Sequence, residues 1–357
     1  MSPNIPKTQT AAIVTSSDAP LEVRTDHPVV QPSELKPGEC LVHILSTGVC
    51  HTDLHARKND WPLSPKTPLI GGHEGVGEVV AIAEGTPNAP IKIGQRVGIK
   101  WLAYSCLDCE QCRNGLEQSC PNQKLSGFTV DGTFAQYVVS YVHHVTPIPD
   151  ELPSDAAASI LCAGVTVYRA LKYSGARAGQ WVVLPGAGGG LGHLAIQYAA
   201  NMGLRVIAID TGAEKKKLVE SLGAEKWIDF KETTDIVKAV QDATGGLGPH
   251  VAVVTSASAT GYQQAVDYLR HGGTLMAVGL PGHAKLESSI FWTVLKSITI
   301  RGSYVGNRQD AVEALELAAQ GKVKVVFAVK QLSELSDIYE DLDAGKIAGR
   351  IVVNMPK

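Results

Sequence analysis

Leu184-Pro185-Gly186-Ala187-Gly188-Gly189-Gly190-Leu191-Gly192 is the stretch on which the fold turns. The apolar run Trp181–Pro185 leads into it and a helical pattern from Leu191 to Met202 leads out. Small residues between a strand and a helix let the backbone approach a pyrophosphate, and the helix N-terminus favours its charge. The strict G-x-G-x-x-G pattern is not met; Ala187-x-Gly189-x-x-Gly192, preceded by Gly186, stands in its place. Alone, such a loop also reads as a flexible turn. The next apolar run, Arg205–Ile209, ends at Asp210. A carboxylate at that strand end can accept a ribose hydroxyl and repels a 2′-phosphate, which favours NAD over NADP. Lys215 could reach the same ribose, or be a solvated helix lysine.

Outward from this loop the texture is alternating. Helical patterns at Glu214–Leu222 and Asp235–Ala243 interleave with extended runs at Lys226–Asp229, Val251–Thr255 and Thr274–Gly279. Strands alternating with helices predict a parallel sheet with crossover helices. Before residue 155 the chain reads differently. Leu41–Leu45, Glu78–Ile82, Gln95–Ile99 and Ala135–Val139 are short apolar or β-branched stretches between Gly and Pro, as in an irregular β-barrel. Lys58 to Pro68 reads as a loop. The tail offers a helix at Asp310–Ala319 and strands at Val323–Val329 and Arg350–Val353; periodicity leaves open which domain it joins.

Length and composition agree with a two-domain globular protein: 357 residues, 44% hydrophobic and 19% charged. Lys and Arg total 32 against 35 Asp and Glu, a net charge of −3, so no basic excess points to nucleic acid or an anionic membrane. No apolar run approaches the ~20 residues of a membrane span. The N-terminus lacks the apolar core of a secretory signal, so a cytoplasmic protein is expected. The odd count of 7 cysteines argues against a disulfide framework.

Cys106, Cys109, Cys112 and Cys120 form C-x2-C-x2-C-x7-C. Four thiolates can close a tetrahedron around zinc and leave no open position, so this metal would be structural. An iron–sulfur cluster is the rival, since C-x2-C-x2-C occurs there too. Three further residues could form an open metal site: Cys50 ahead of His51-Thr52-Asp53-Leu54-His55, His73 in Gly71-Gly72-His73-Glu74-Gly75, and Cys162 in Leu161-Cys162-Ala163-Gly164. Two thiolates and an imidazole suit a catalytic zinc. Their spacing alone does not join them: Cys162 also reads as a core thiol and His73 as a turn residue. Cys40 matches neither set and reads as a buried strand thiol.

Taken together, Gly48-Val49-Cys50-His51-Thr52-Asp53-Leu54-His55, Gly71-Gly72-His73-Glu74-Gly75, the four-cysteine loop, Ile160-Leu161-Cys162-Ala163-Gly164 and Gly302-Ser303-Tyr304-Val305-Gly306-Asn307-Arg308 resemble the zinc-dependent medium-chain alcohol dehydrogenases, most closely the yeast-type ethanol/acetaldehyde branch. The resemblance implies an α/β protein. Residues 1–162 and 305–357 would form a GroES-like barrel that holds the zinc and does the catalysis. Residues 163–304 would form a Rossmann NAD-binding domain with a doubly wound parallel sheet. It implies two zinc ions per subunit: a structural one on the four-cysteine loop, and a catalytic one held by Cys50, His73 and Cys162, with Glu74 beside it as a transient ligand. It makes Asp53 the residue that orients His73. It implies a proton relay from the alcohol through Thr52 and the cofactor ribose to His55, with hydride passing to the nicotinamide. Cofactor contacts are implied at His51, Gly186, Ala187, Gly189, Gly190, Leu191, Gly192, Asp210, Lys215, Val278 and Arg350. Trp61 and Trp101 would wall the substrate pocket, with Leu280 and Tyr304 deeper in it. Leu280 departs from the methionine common in that branch.

The expected reaction is oxidation of a short primary alcohol to its aldehyde by NAD, reversibly. The alternatives are the same chemistry on bulkier, secondary or aryl alcohols and ketones, and a zinc- and nucleotide-binding protein without turnover. The partners expected are the small alcohol or aldehyde and other copies of the chain as a homotetramer, with no nucleic acid and no membrane.

Overall fold

The computed structural model describes residues 5–17, 19–282 and 284–356. The chain forms two compact units. Met1–Cys162, Gly306–Ala319 and Phe327–Lys357 make the first; Ala163–Val305 and Gln320–Val326 make the second.

The first unit is built around the strand Glu39–Val49. It pairs antiparallel with Gly75–Ile82, Tyr137–Tyr141 and, through Ile351 opposite Val49, the tail strand Arg350–Asn354. Arg96–Ile99 and Thr146–Pro147 extend this sheet on one side, and Phe327–Gln331 closes it on the other. A three-stranded sheet, ordered Glu22–Pro28, Thr8–Val14, Leu69–Ile70, lies apart from it. Val42, Ile44, Val79, Val97, Ile99, Phe134, Leu335 and Ile338 fill the core between them. Cys40 is buried in that core, and burial pushes its thiol up to about 12.

Two helices here were not expected from the sequence and serve the site, although Leu335, Ile338, Tyr339 and Leu342 of the second follow the i, i+3, i+4, i+7 pattern of an amphipathic helix. His51–Lys58 is an 8-residue helix that starts directly after Cys50. Leu335–Asp343 packs against it: His51 Nε2 lies 3.0 Å from the Leu342 carbonyl, and Lys58 pairs with Asp343 at 2.7 Å. The stretch read as a strand from Ala135 runs instead as Tyr137–Tyr141.

The second unit has six parallel strands. In space they run Lys226–Asp229, Arg205–Asp210, Trp181–Pro185, Val251–Val254, Thr274–Ala277, Thr299–Gly302, which is order 3-2-1-4-5-6 along the unit. The glycine-rich loop follows the strand at which that order reverses, where open α/β sheets take their ligands. Asp235, expected inside the helix, is its N-cap and accepts from Lys238 N at 2.9 Å.

The expected boundary at 305 needs correction. Val305 belongs to the second unit, and so does Gln320–Val326. The reason is polar. Gln197 accepts from Lys324 N at 2.7 Å and donates to Lys324 O at 2.8 Å, Asn201 donates to Lys322 O at 2.8 Å, and Val326 N donates to His193 Nε2 at 3.3 Å. The strand expected at Val323–Val329 therefore starts later, as Phe327–Gln331.

Candidate active site

Cys50 ends the long strand Glu39–Val49 and caps the helix His51–Lys58. Asp53, at the third helical position, turns back to accept from Cys50 N at 2.9 Å, satisfying one orphan donor of the helix end. Its other oxygen lies 2.8 Å from His73 Nδ1 and accepts from Gly72 N at 3.2 Å. One buried carboxylate thus caps the helix and fixes the imidazole, which leaves Nε2 free to act as a ligand.

His73 arrives on a tightly threaded loop. Gly72 has φ +89°, and a Cβ there would stand 2.6 Å from Thr133 Oγ1 and 2.9 Å from Phe134 N. Thr133 N and Phe134 N donate back to the carbonyls of Gly72 and Gly71, both at 3.0 Å. Cys162 comes from a third place, a π-helical turn, Ile160–Gly164. Such turns often mark functional positions.

The structure brings Cys50, His73, Glu74 and Cys162 together, all buried, with ligand atoms within 4.8 Å of one another. His73 Nε2 lies 3.2 Å from Cys162 Sγ and 3.9 Å from Glu74 Oε1. Burial opposes charge on His73, but the Asp53 carboxylate outweighs it and holds the ring well above its usual value. The Cys50 thiol is drawn well below its usual range, chiefly by its hydrogen bond with Cys162. Burial lifts Glu74 to about 7 against the opposing charge of Arg350. Arg350 Nη2 bonds Glu74 Oε1, while Glu74 Oε2 has no partner among the described residues. Two thiols, one imidazole nitrogen aimed inward and an orphaned carboxylate oxygen are a donor set that fits zinc.

The second cluster fits as well. Sulfur-to-sulfur distances in the four-cysteine loop are 3.5 Å for Cys109–Cys112, 3.5 Å for Cys106–Cys120, 3.8 Å for Cys109–Cys120 and 4.0 Å for Cys106–Cys112. Sulfurs placed tetrahedrally at zinc–thiolate bond length stand about 3.8 Å apart. Backbone N–H groups of Asp108 and Cys109 draw the Cys106 thiol down to about 6, whereas burial lifts Cys112 to about 12.

Of the remaining expected residues, several form a run of ring contacts that begins at His73. Trp101 meets its ring edge-on with centroids 5.1 Å apart, and Trp61 meets Trp101 at 6.4 Å. His55 stacks on Trp61 at 5.0 Å and hydrogen-bonds Asp60 Oδ1 at 2.8 Å. Thr52 lies half-buried on the same helix. Two residues passed over in the sequence join them: Phe128, 5.5 Å from Trp101 and 6.2 Å from Trp61, and Asp60. Asp60, five residues after His55, lies past the left-handed turn at Asn59 that ends the helix. Phe128 carries no local signal at all.

His51 and Arg350, expected at a pyrophosphate, have protein partners here, the Leu342 carbonyl and Glu74. Leu280, Tyr304 and Val278 belong to the second unit. So do the loop residues. Gly186 has φ +83°, and a Cβ on Gly192 would stand 2.2 Å from Gly186 O, so the turn tolerates no side chain at either position. Ala187, Gly189, Gly190 and Leu191 complete the loop ahead of the helix Gly192–Asn201. Asp210 accepts from Gly188 N at 2.9 Å, Thr211 N at 2.9 Å and Lys215 Nζ at 3.2 Å. Gly188 belongs to the same loop, and a Cβ there would meet the Lys215 side chain at 2.7 Å.

A thiolate-lined metal cluster in a β-barrel unit and a glycine loop at the switch point of a Rossmann sheet define a zinc-binding dehydrogenase. Residues 36–150 match the model of the alcohol dehydrogenase GroES-like domain, and residues 190–320 that of the zinc-binding dehydrogenases. An alcohol dehydrogenase of Schizosaccharomyces pombe is 49% identical over 99% of each chain. The chain belongs to the zinc-dependent medium-chain alcohol dehydrogenase family. Among solved structures, the alcohol dehydrogenase of Aeropyrum pernix has a TM-score of 0.87 at 33% identity, covering 97% of this chain and 99% of that one. An acetophenone reductase of Geotrichum candidum in complex with NAD has 0.86 at 26% identity, covering 99% and 98%.

Proposed function

We propose that this zinc- and NAD-dependent alcohol dehydrogenase oxidises short primary alcohols such as ethanol to their aldehydes, reversibly. The observation that carries the reading is the convergence of Cys50, His73 and Cys162 beside the helix that bears Thr52 and His55, under the two tryptophans. Cys50, His73 and Cys162 hold the catalytic zinc, and Glu74 is its transient neighbour. The bound metal supplies Lewis acidity, which lowers the pKa of the alcohol oxygen.

The chain's own residues do the rest. Asp53 keeps His73 in the tautomer that presents Nε2. Thr52 takes the proton from the alcohol, and His55, on the same helix, would receive it once a cofactor is bound. Held by Asp60 and Trp61 with 18% of its side chain exposed, His55 passes it to water. Trp61 and Trp101, backed by Phe128, narrow the space around the alcohol carbon.

The loop Gly186–Gly192 seats the dinucleotide, with Val278 alongside; Asp210 and Lys215 hold the adenosine ribose, and the Asp210 carboxylate repels a 2′-phosphate. His51 and Arg350 are the charge partners proposed for a pyrophosphate. The structural zinc sits on the four-cysteine loop.

We extend the proposal to assembly and location. The sheet of the second unit ends in Thr299–Gly302, an exposed edge strand, and the helix just before it in sequence exposes Ile290, Phe291, Val294 and Leu295. An open strand edge beside an apolar patch favours pairing with a second copy, and the proposed assembly is a homotetramer. Six of the 7 cysteines are proposed zinc ligands and Cys40 is a buried thiol, which suits a reducing cytoplasm. Among the described residues no helix is long and apolar enough to cross a membrane.

The test is NAD reduction by the zinc-loaded enzyme across alcohols of increasing length and branching, with NADP in parallel. A rate that is fast for ethanol, falls with size and is much slower with NADP is expected. Preference for secondary or aryl alcohols would discard the roles given to Trp61 and Trp101, and absence of turnover would discard the reaction.

A further inference from the structure

The four-cysteine loop is not held by its thiols alone. Between Cys112 and Cys120 the chain makes a short 3-10 turn, Glu117–Ser119, from which Glu117 points inward and is buried. Arg308, the first residue of the helix Arg308–Ala319, meets it. The Arg308 backbone N–H donates to Glu117 Oε1 at 2.8 Å, and its Nε lies 3.1 Å from each carboxylate oxygen. Arg308 Nη1 also donates to His143 O at 3.3 Å. Next to it, Asn307 Nδ2 donates to Gly115 O at 3.0 Å. Asn307 is itself fixed by a reciprocal pair with Asp310, at 3.0 and 2.8 Å. Both contacts to the loop join residues about 190 apart in sequence, and all of them lie in the first unit.

We infer that Glu117 and Arg308 are positioning residues for the metal of the four-cysteine loop, and that this loop keeps its zinc only while the returning chain clamps Glu117. A carboxylate removed from water is tolerated when paired and expelled when not. If Arg308 loses its guanidinium, Glu117 keeps only the Arg308 backbone N–H and the charge of Lys100, and the turn gains by swinging Glu117 toward solvent. Cys120, three residues further on, moves with that turn. It is the ligand farthest along the chain from the other three, and its sulfur stands 3.5 Å from Cys106. The sulfur cage then opens at one corner.

The inference rests on the reading that this loop binds zinc. The measurement that tests it is release of zinc from the holoenzyme to a chromogenic chelator, with alcohol oxidation followed in the same sample. Zinc that leaves without loss of turnover comes from the four-cysteine loop. The parent enzyme is expected to carry two zinc ions per subunit, one per cluster. Arg308→Met should release one of them about tenfold faster or more and leave the other unchanged. The double variant Glu117→Gln with Arg308→Met removes both charges and should return to within about threefold of the parent rate. Arg308→Lys, which keeps the charge but loses the fork, should lie between, and stands in if Arg308→Met does not fold.

Parent-like release in Arg308→Met, equal acceleration of both metals, or no recovery in the double variant would overturn the inference. A parent enzyme with no metal on the loop would overturn the zinc reading itself, and the inference with it.

Discussion

The two cysteine clusters are made in opposite ways. The four-cysteine set comes from one segment, Cys106 to Cys120, with three of its members only half-buried. The other set draws Cys50, His73, Glu74 and Cys162 from a strand end, a glycine loop and a π-helical turn, and all four are buried. A metal can organise the first by pulling together a short loop. The second is preassembled by the barrel itself: Asp53 fixes His73, Arg350 on the last strand meets Glu74, and Thr133 and Phe134 clamp the His73 loop. A closed, local cage serves stability. An open, dispersed one, with a titratable helix beside it, serves chemistry.

Breaking the dispersed set should have the largest effect. Cys50→Ala is expected to lower turnover by about 10⁴-fold or more, since the Lewis acid is lost. One zinc per subunit should remain by elemental analysis, and substantial turnover with a single zinc would place catalysis elsewhere. Thr52→Ala separates proton transfer from metal binding within the same set. Turnover should fall about 10²–10³-fold with both zinc ions retained; full activity would remove Thr52 from the relay.

The local cage should respond in stability rather than in rate. Cys112→Ala is expected to cost about 2–5 kcal/mol, comparable with loss of a native cross-link. That is read as a lower unfolding midpoint, with near-parent turnover in the cold. A drop in cold turnover as large as that of Cys50→Ala would erase the distinction between the clusters.

Per pH unit, the smallest effect is the one in acid. His144 supports the base of the four-cysteine loop: its Nε2 accepts from Ser105 N at 2.9 Å, and burial, with Lys100 nearby, pushes the ring down to about 2. Between that value and the ordinary histidine range, the unfolded chain binds a proton that the folded chain does not. The stabilisation is therefore complete above pH ~6.5 and is lost as pH falls, at no more than about 1.4 kcal/mol per pH unit. His144→Gln should flatten this acid limb in denaturant melts; an unchanged limb would show that the ring is not held neutral.

Legibility in the sequence follows the same contrast. The four-cysteine spacing and the loop Gly186–Gly192 are local, and both are visible as written. So are the second-unit strands Trp181–Pro185, a buried run, and Lys226–Asp229, both bounded by turn residues. The dispersed cluster is not visible as spacing, because tertiary pairing brings Cys50 to His73; only the family resemblance joined them. His51–Lys58 gave no helical signal, being short and polar, and Phe128 gave none because its neighbours come from other segments. Gln320–Val326 changes unit through side-chain amides that no hydropathy pattern encodes.

The most direct test of the account is anomalous diffraction from crystals of the holoenzyme, recorded on both sides of the zinc absorption edge. The account predicts two peaks per subunit, one within bonding distance of Cys50 Sγ, His73 Nε2 and Cys162 Sγ and the other inside the four-cysteine cage. A peak in the cage alone, from an enzyme that still oxidises alcohol, would contradict it.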